Sequence, residues 1–133
     1  MDVLVVDDNK FAAVALGKLL KADGYTVHLA YDGESALEIA QQLNPYAIIL
    51  DLALPGMSGY EVARILKEDR GSSALLIALT GYGQKEDRFM SRKAGFDYHL
   101  TKPILSAEIE RLINAPRTKI DRRIAQFNHE REG

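Results

Sequence analysis

Five short apolar runs punctuate the chain, at Val3–Val6, Thr26–Ala30, Tyr46–Leu50, Leu75–Leu79 and Asp97–Leu100. Between them lie longer stretches in which apolar residues recur every three or four positions. Consecutive apolar residues suit strands buried on both faces, and the intervening period suits amphipathic helices. The first helix is expected over Lys10 to Ala22, with Phe11, Val14, Ala15, Leu19 and Leu20 on its inward stripe and Asp23-Gly24 as its stop. The second runs from about Glu34 to Leu43, turning Ala36, Leu37, Ala40 and Leu43 inward, opened by Asp32-Gly33 and closed by Asn44-Pro45. Ser58, with Glu61 three residues on, has the spacing of a capping box for a third helix that buries Val62, Ile65 and Leu66 and ends at Arg70-Gly-Ser-Ser73. A fourth, about Gln84 to Lys93, is thinly apolar, with Phe89, Met90 and Ala94 as its inward candidates, and reads as marginal and exposed. The fifth, Ser106 to Asn114, carries Ile109, Leu112 and Ile113 in register, and Pro116 marks a boundary.

Strands alternating with helices predict an α/β domain with a parallel sheet covered on both faces. The expected division is one domain over residues 1–115 and a charged tail over 116–133. Residues 117–133 hold five Lys/Arg and three Asp/Glu, a net charge of +2, and Ile120, Ile124 and Phe127 fit a short extra amphipathic helix. An open doubly wound sheet binds ligands beyond the carboxyl ends of its strands, near the switch in strand order.

Composition narrows the function. At 133 residues and 47% hydrophobic the chain is sized for one buried core. A formal net charge of −2 gives no basic footprint, so direct nucleic-acid binding is not expected. The absence of cysteine excludes a disulfide frame, a thiol nucleophile and a Cys-based zinc site. The run at Val3–Val6 is too short for a secretory core or a membrane span and is followed by two acids, which points to a cytoplasmic protein. An abrupt start at a strand suggests a domain excised from something longer, and the 17 residues after Pro116 are too few for an output domain.

The candidate chemistry begins where two of the apolar runs stop. Asp7 and Asp8 follow the first, and Asp51 follows the third. Aspartate is depleted in strands, and a carboxylate beside buried apolar residues pays desolvation unless it is paired or bound to a cation. Clustered, the three would repel one another unless a divalent ion neutralised them. Hard oxygen ligands suit Mg²⁺, which takes few protein carboxylates and completes its shell with water and phosphate oxygens. Thr80 and Lys102 close the next two runs, with Gly81 after the threonine. The set matches phosphoryl transfer: the Thr80 hydroxyl and the Gly81 amide as donors, Lys102 and magnesium offsetting charge, and an ionised carboxylate as nucleophile with no general base. His99 and His28 are read as packing and half-exposed strand positions; Leu52, Leu54, Pro55 and Met57 as loop and core packing; Gly56 and Gly59 as turn geometry.

Val5-Val-Asp-Asp-Asn9, Asp51-Leu-Ala-Leu-Pro-Gly-Met-Ser-Gly59, Leu79-Thr-Gly81 and Thr101-Lys-Pro103, in this order, resemble the receiver domain of two-component response regulators over about Asp2 to Asn114. The resemblance implies a flavodoxin-like, doubly wound five-stranded parallel sheet in the order 2-1-3-4-5. It implies that Asp51 is phosphorylated by a histidine kinase or histidine phosphotransfer protein and slowly hydrolysed, so that any enzymatic activity is self-directed. Asp8 would bind Mg²⁺ directly, Asp7 directly or through water, with Asp51 and the Ala53 carbonyl completing the protein ligands. Thr80 would hydrogen-bond the phosphoryl group and draw its loop inward, Lys102 would pair with a phosphoryl oxygen, and the Lys102–Pro103 peptide would be cis. The family's switch aromatic falls at His99, beside Tyr98, a departure that puts the usual aromatic swing in question. The surface of the fourth helix, fifth strand and fifth helix would then bind a downstream protein partner. Gly95 to Pro103 looks like the receivers of hybrid histidine kinases, with a single-domain relay as the other option. Two alternatives stand beside this reading: a phosphorylation-independent interaction module of the same fold, and a Mg²⁺-dependent phosphohydrolase.

Overall fold

The computed structural model describes residues 1–81 and 88–115, without the side chains of Arg88 and Phe89. Its strands are β1 (Asp2–Val6), β2 (Thr26–Ala30), β3 (Ala47–Asp51), β4 (Leu75–Thr80) and β5 (Tyr98–Thr101). They form one sheet in the order β2-β1-β3-β4-β5, parallel at every pairing. The helices are α1 (Lys10–Ala22), α2 (Gly33–Leu43), α3 (Gly59–Arg64), α4 (Arg88–Ala94) and α5 (Ser106–Asn114). The expected order 2-1-3-4-5 is the one observed, and the switch lies between β1 and β3.

Alternate residues of each strand feed two separate cores, because successive side chains point to opposite faces. Leu4, Val6, Ile48, Leu50, Leu76 and Ala78 pack with Ala36, Leu37, Val62, Leu66 and Ala94 on the face covered by α2, α3 and α4. Val3, Val5, Ile49, Ile77, Leu79, Tyr98 and Leu100 pack with Ala13, Leu20, Ile109 and Ile113 on the face covered by α1 and α5. The three central strands β1, β3 and β4 are almost wholly buried, as uninterrupted apolar runs require. No helix among the described residues is long and apolar enough to cross a membrane.

Two of the helices begin on the expected polar residues, Asp32 and Ser58, and α1 begins on Asn9. Asn9, Asp32 and Ser58 accept from the backbone amides of Ala12, Ser35 and Glu61, satisfying donors that the first turn leaves open. α2 stops at Asn44, in the left-handed region at φ 47°. α3 passes directly into a π-helical turn, Ile65–Asp69, where the sequence suggested one continuous helix. There the Lys67 ammonium reaches the Ala74 carbonyl at 2.9 Å, tying the turn to the start of β4.

The stripe assigned to α1 is corrected. Ala13, Gly17 and Leu20 are buried, whereas Phe11 is 90% exposed, Leu19 49% and Val14 37%, with Ala15 also outward. Periodicity allows either stripe, and close approach chooses between them: a β-carbon on Gly17 would stand 3.2 Å from Leu29 of β2, so the small residues face the sheet. Leu43 and Met90, expected inward, are likewise exposed at 41% and 44%; Leu43 is the last residue of α2. The Gln84 start of the fourth helix, the inward placement of Phe89, the Pro116 boundary and the tail stripe of Ile120, Ile124 and Phe127 lie outside the described residues.

Candidate functional site

The carboxyl ends of β1, β3 and β5 bring the candidate groups together. The Asp7 amide donates to the Ala30 carbonyl at 3.1 Å, so the residue still belongs to the ladder and is buried. Asn9 then turns the chain: its amide donates to Asp7 Oδ1 at 3.0 Å while its side chain caps α1. This leaves Asp8 exposed at the mouth of the site, with Asp7 and Asp51 buried behind it. Asp51 ends β3 opposite Leu79, and the ladder continues one step further through the Leu52 amide and the Leu79 carbonyl at 3.0 Å. A carboxylate oxygen from each of Asp7, Asp8 and Asp51 lies within 4.8 Å of the others.

Lys102 reaches into this cluster from the end of β5. Its Nζ donates to Asp7 Oδ2 at 2.8 Å and to Asp51 Oδ2 at 2.9 Å, while its own amide donates to the Thr80 carbonyl at 2.8 Å. The Lys102–Pro103 peptide is cis. The other Asp51 oxygen accepts from the Ala53 amide at 2.8 Å.

Burial pushes the Asp51 carboxyl above its ordinary value of 3.8; the bonds from Lys102 and the Ala53 amide pull the other way, and the charge of Asp7 adds to the rise. For Lys102 burial opposes the charge, but the bonds to Asp7 and Asp51 outweigh it and hold the ammonium above 10.5. With all three acids ionised, three negative charges face one ammonium, and two remain uncompensated. Three hard oxygens with an unmet charge of two fit a divalent cation such as Mg²⁺.

Thr80 is buried at the end of β4, and Gly81 follows it, half-buried. Ala53 is exposed. His99 stands apart from the acids: it is buried on β5, with Nδ1 3.1 Å from the hydroxyl of Ser91 on α4. Tyr98 points into the α1 and α5 face. His28 is partly exposed, as expected, with Nε2 3.0 Å from Asp2 Oδ1.

Two residues matter here in ways the sequence did not disclose. Gly56 does adopt turn geometry, at φ 73°, but Gly59 is there for space. A β-carbon on Gly59 would fall 2.5 Å from the Asp51 carbonyl oxygen and 2.8 Å from Leu52 Cα, so α3 begins in contact with the backbone that carries Asp51. Ser91 gave no motif and becomes visible only through His99. Beside the acids, an apolar groove of about 460 Å³ runs between α1 and the loop after β5, lined among others by Asp7, Leu16, Leu19, Lys102 and Ile104.

Comparison with known proteins places this geometry. The family described as the response regulator receiver domain matches residues 3–114. An uncharacterized 14.6 kDa protein of Leptolyngbya boryana is 35% identical over 114 residues, 85% of this chain and 87% of that protein. Response regulator MprA of Mycobacterium ulcerans is 36% identical over 121 residues, 90% of this chain and 52% of its own length, so the chain spans about half of that relative. Among solved structures, the receiver domain of sensor histidine kinase PA1611 from Pseudomonas aeruginosa, with a magnesium ion coordinated in its active-site cleft, is 33% identical. It superposes with a TM-score of 0.74 over 84% of this chain and 93% of that one. The receiver domain of Francisella response regulator 1452 gives 0.76 at 28% identity, covering 85% and 93%.

Proposed function

The chain belongs to the response regulator receiver domain family of two-component signalling, and on that premise we propose that Asp51 accepts a phosphoryl group from a phosphohistidine. The observation that carries the reading is a buried, ionisable carboxylate at the end of β3, held by one lysine and flanked by two more acids. An oxygen of Asp51 attacks phosphorus as the bond to the donor imidazole breaks. The products are an acyl phosphate and a histidine that recovers its lone pair and takes its proton from solvent. As a carboxylate, Asp51 is itself the nucleophile and needs no general base.

Lys102 already stands 2.9 Å from Asp51 Oδ2 and has only to follow the charge outward as the phosphoryl group arrives. Thr80 offers a hydroxyl from the adjacent strand, and Gly81 an amide. Asp7, Asp8, Asp51 and the Ala53 carbonyl are the groups that would hold Mg²⁺, which when bound offsets charge on the phosphoryl oxygens. The donor would be a histidine kinase or phosphotransfer protein. It would seat on the apolar groove between α1 and the loop after β5, which Leu16, Leu19 and Ile104 line and where Asp7 and Lys102 form part of the wall. The surface of α4, β5 and α5 would answer by binding a downstream protein.

Incubation with acetyl phosphate and Mg²⁺ tests the reading: intact mass should rise by one phosphoryl group, and Asp51→Asn should abolish the rise. An Asp51→Asn variant that gains the same mass overturns the assignment. No gain by the wild type under saturating donor and Mg²⁺ favours a docking module that works without phosphorylation.

A further inference from the structure

Among the described residues, α4 turns a polar side chain onto the sheet. Its described inward residues are Ser91, 1% exposed, and Ala94, 9% exposed, while Met90 is 44% exposed. Beside the apolar contact of Ala94, the described residues hold the helix on the core through a polar group: the Ser91 hydroxyl lies 3.1 Å from His99 Nδ1, with both residues buried. Such a bond is directional and discrete: it is made or broken, where a leucine contact slides.

His99 also shares a face of the sheet with Thr80. In the β4–β5 register Ala78 pairs with His99 and Thr80 with Thr101. Residues two apart share a face, so Thr80 and His99 stand diagonally on the side that α4 covers. Any withdrawal of Thr80 toward Asp51 frees volume next to the imidazole, and the ring can turn into that volume only by carrying Nδ1 away from Ser91.

We propose that the Ser91–His99 hydrogen bond is a latch that holds α4 on β5 in the unphosphorylated domain and opens when Thr80 moves toward a phosphoryl group on Asp51. The opening half rests on Asp51 as phosphoacceptor; the holding half does not. Ser91 is then a positioning residue, acting on α4 through His99 and touching no phosphoryl atom.

Hydrogen exchange of the full chain, followed by mass spectrometry of peptides spanning residues 88–94, reads the latch. In the wild type, beryllofluoride with Mg²⁺, a phosphoryl mimic, should speed exchange there about three- to tenfold, the population change that one neutral hydrogen bond sets. Ser91→Ala should exchange that much faster without beryllofluoride and respond to it less than twofold. Because Ser91→Ala leaves a buried imidazole nitrogen short of a partner, the Ser91→Ala/His99→Phe double variant is measured beside it. It should show the same lost response with wild-type exchange in β1 and β3. Wild-type exchange at 88–94 in both variants, or an undiminished response to beryllofluoride, overturns the latch. Acetyl phosphate labelling of Asp51 in all three proteins separates this from a failure of the phosphoacceptor reading, since Ser91→Ala should label at the wild-type rate.

Discussion

Gly59→Ala is the most exacting test of how the site is built, because its effect can be worked from distances. The new methyl would lie 2.5 Å from the Asp51 carbonyl oxygen and 2.8 Å from Leu52 Cα, both backbone atoms that no rotamer change can move aside. Ordinary carbon contacts begin near 3.5 Å, so α3 and the end of β3 must part by roughly 0.7–1 Å. Overpacking of that kind costs about 1–3 kcal/mol, of which better helix propensity returns at most about 1. With the full return taken, a net loss of up to about 2 kcal/mol should lower Tm by up to about 8 °C for a domain of this size. The same shift exceeds the tolerance of the 2.8 Å bond from the Ala53 amide and the 2.9 Å bond from Lys102, so Asp51 loses its alignment. Misplacement by about 1 Å costs reactive geometry on the order of a hundredfold. Thermal unfolding and the rate of mass gain with acetyl phosphate and Mg²⁺ measure the two effects. Gly24→Ala is the control: at φ 99° with open space around the β-carbon, it should cost stability through the backbone alone and leave labelling unchanged. Wild-type stability and labelling in Gly59→Ala would refute the argument that this glycine seats the Asp51 loop.

Three further outcomes are expected. The folded pKa of Asp51 is raised above 3.8, so its contribution to stability is fully present below that pH and is lost as pH rises through the folded value; urea unfolding from pH 3 to 8 should show Asp51→Asn gaining on the wild type as pH rises, and a pH-independent difference refutes it. Lys102, with its pKa raised by Asp7 and Asp51, stabilises the fold below 10.5 and ceases to as pH rises through the folded value. Lys102→Met should therefore be less stable at pH 7, by about 1–3 kcal/mol after allowing for its partial exposure, and 10 mM Mg²⁺ should recover part of that loss; equal losses with and without Mg²⁺ in urea melts count against the competition of lysine and cation for the same oxygens. By isothermal titration calorimetry, Asp8→Ala should lose at least tenfold in Mg²⁺ affinity while remaining as stable as the wild type, since Asp8 is exposed; unchanged affinity removes Asp8 from the ligand set.

The strands and the limits of α2 and α3 were legible in the residues because each depends on local chemistry: uninterrupted apolar runs, Asp32 and Ser58 before helices, and Asn44 after one. The strand order came from the resemblance to receiver domains. The three acids were legible as well, since aspartates at the ends of greasy runs have no local reason to be there. The inward face of α1 was not, because two stripes fit its period and only the approach of Gly17 to Leu29 decides between them. Gly59 looked like turn chemistry because a glycine required for space leaves no different mark in one sequence from a glycine required for φ. Ser91 left no mark at all.

What the sequence determined by itself, then, is which residues carry charge and which must be buried, since hydrophobic period and the cost of a carboxylate in an apolar setting are properties of neighbours along the chain. What the tertiary structure decided is which of them meet. Lys102 lies 95 residues from Asp7 and 51 from Asp51, yet its ammonium touches both, and it does so because parallel pairing sets the carboxyl ends of β1, β3 and β5 along one edge. The same pairing puts His99 diagonal to Thr80 and under Ser91. Contact across strands is fixed by register and packing, and neither is written in the order of residues along one strand.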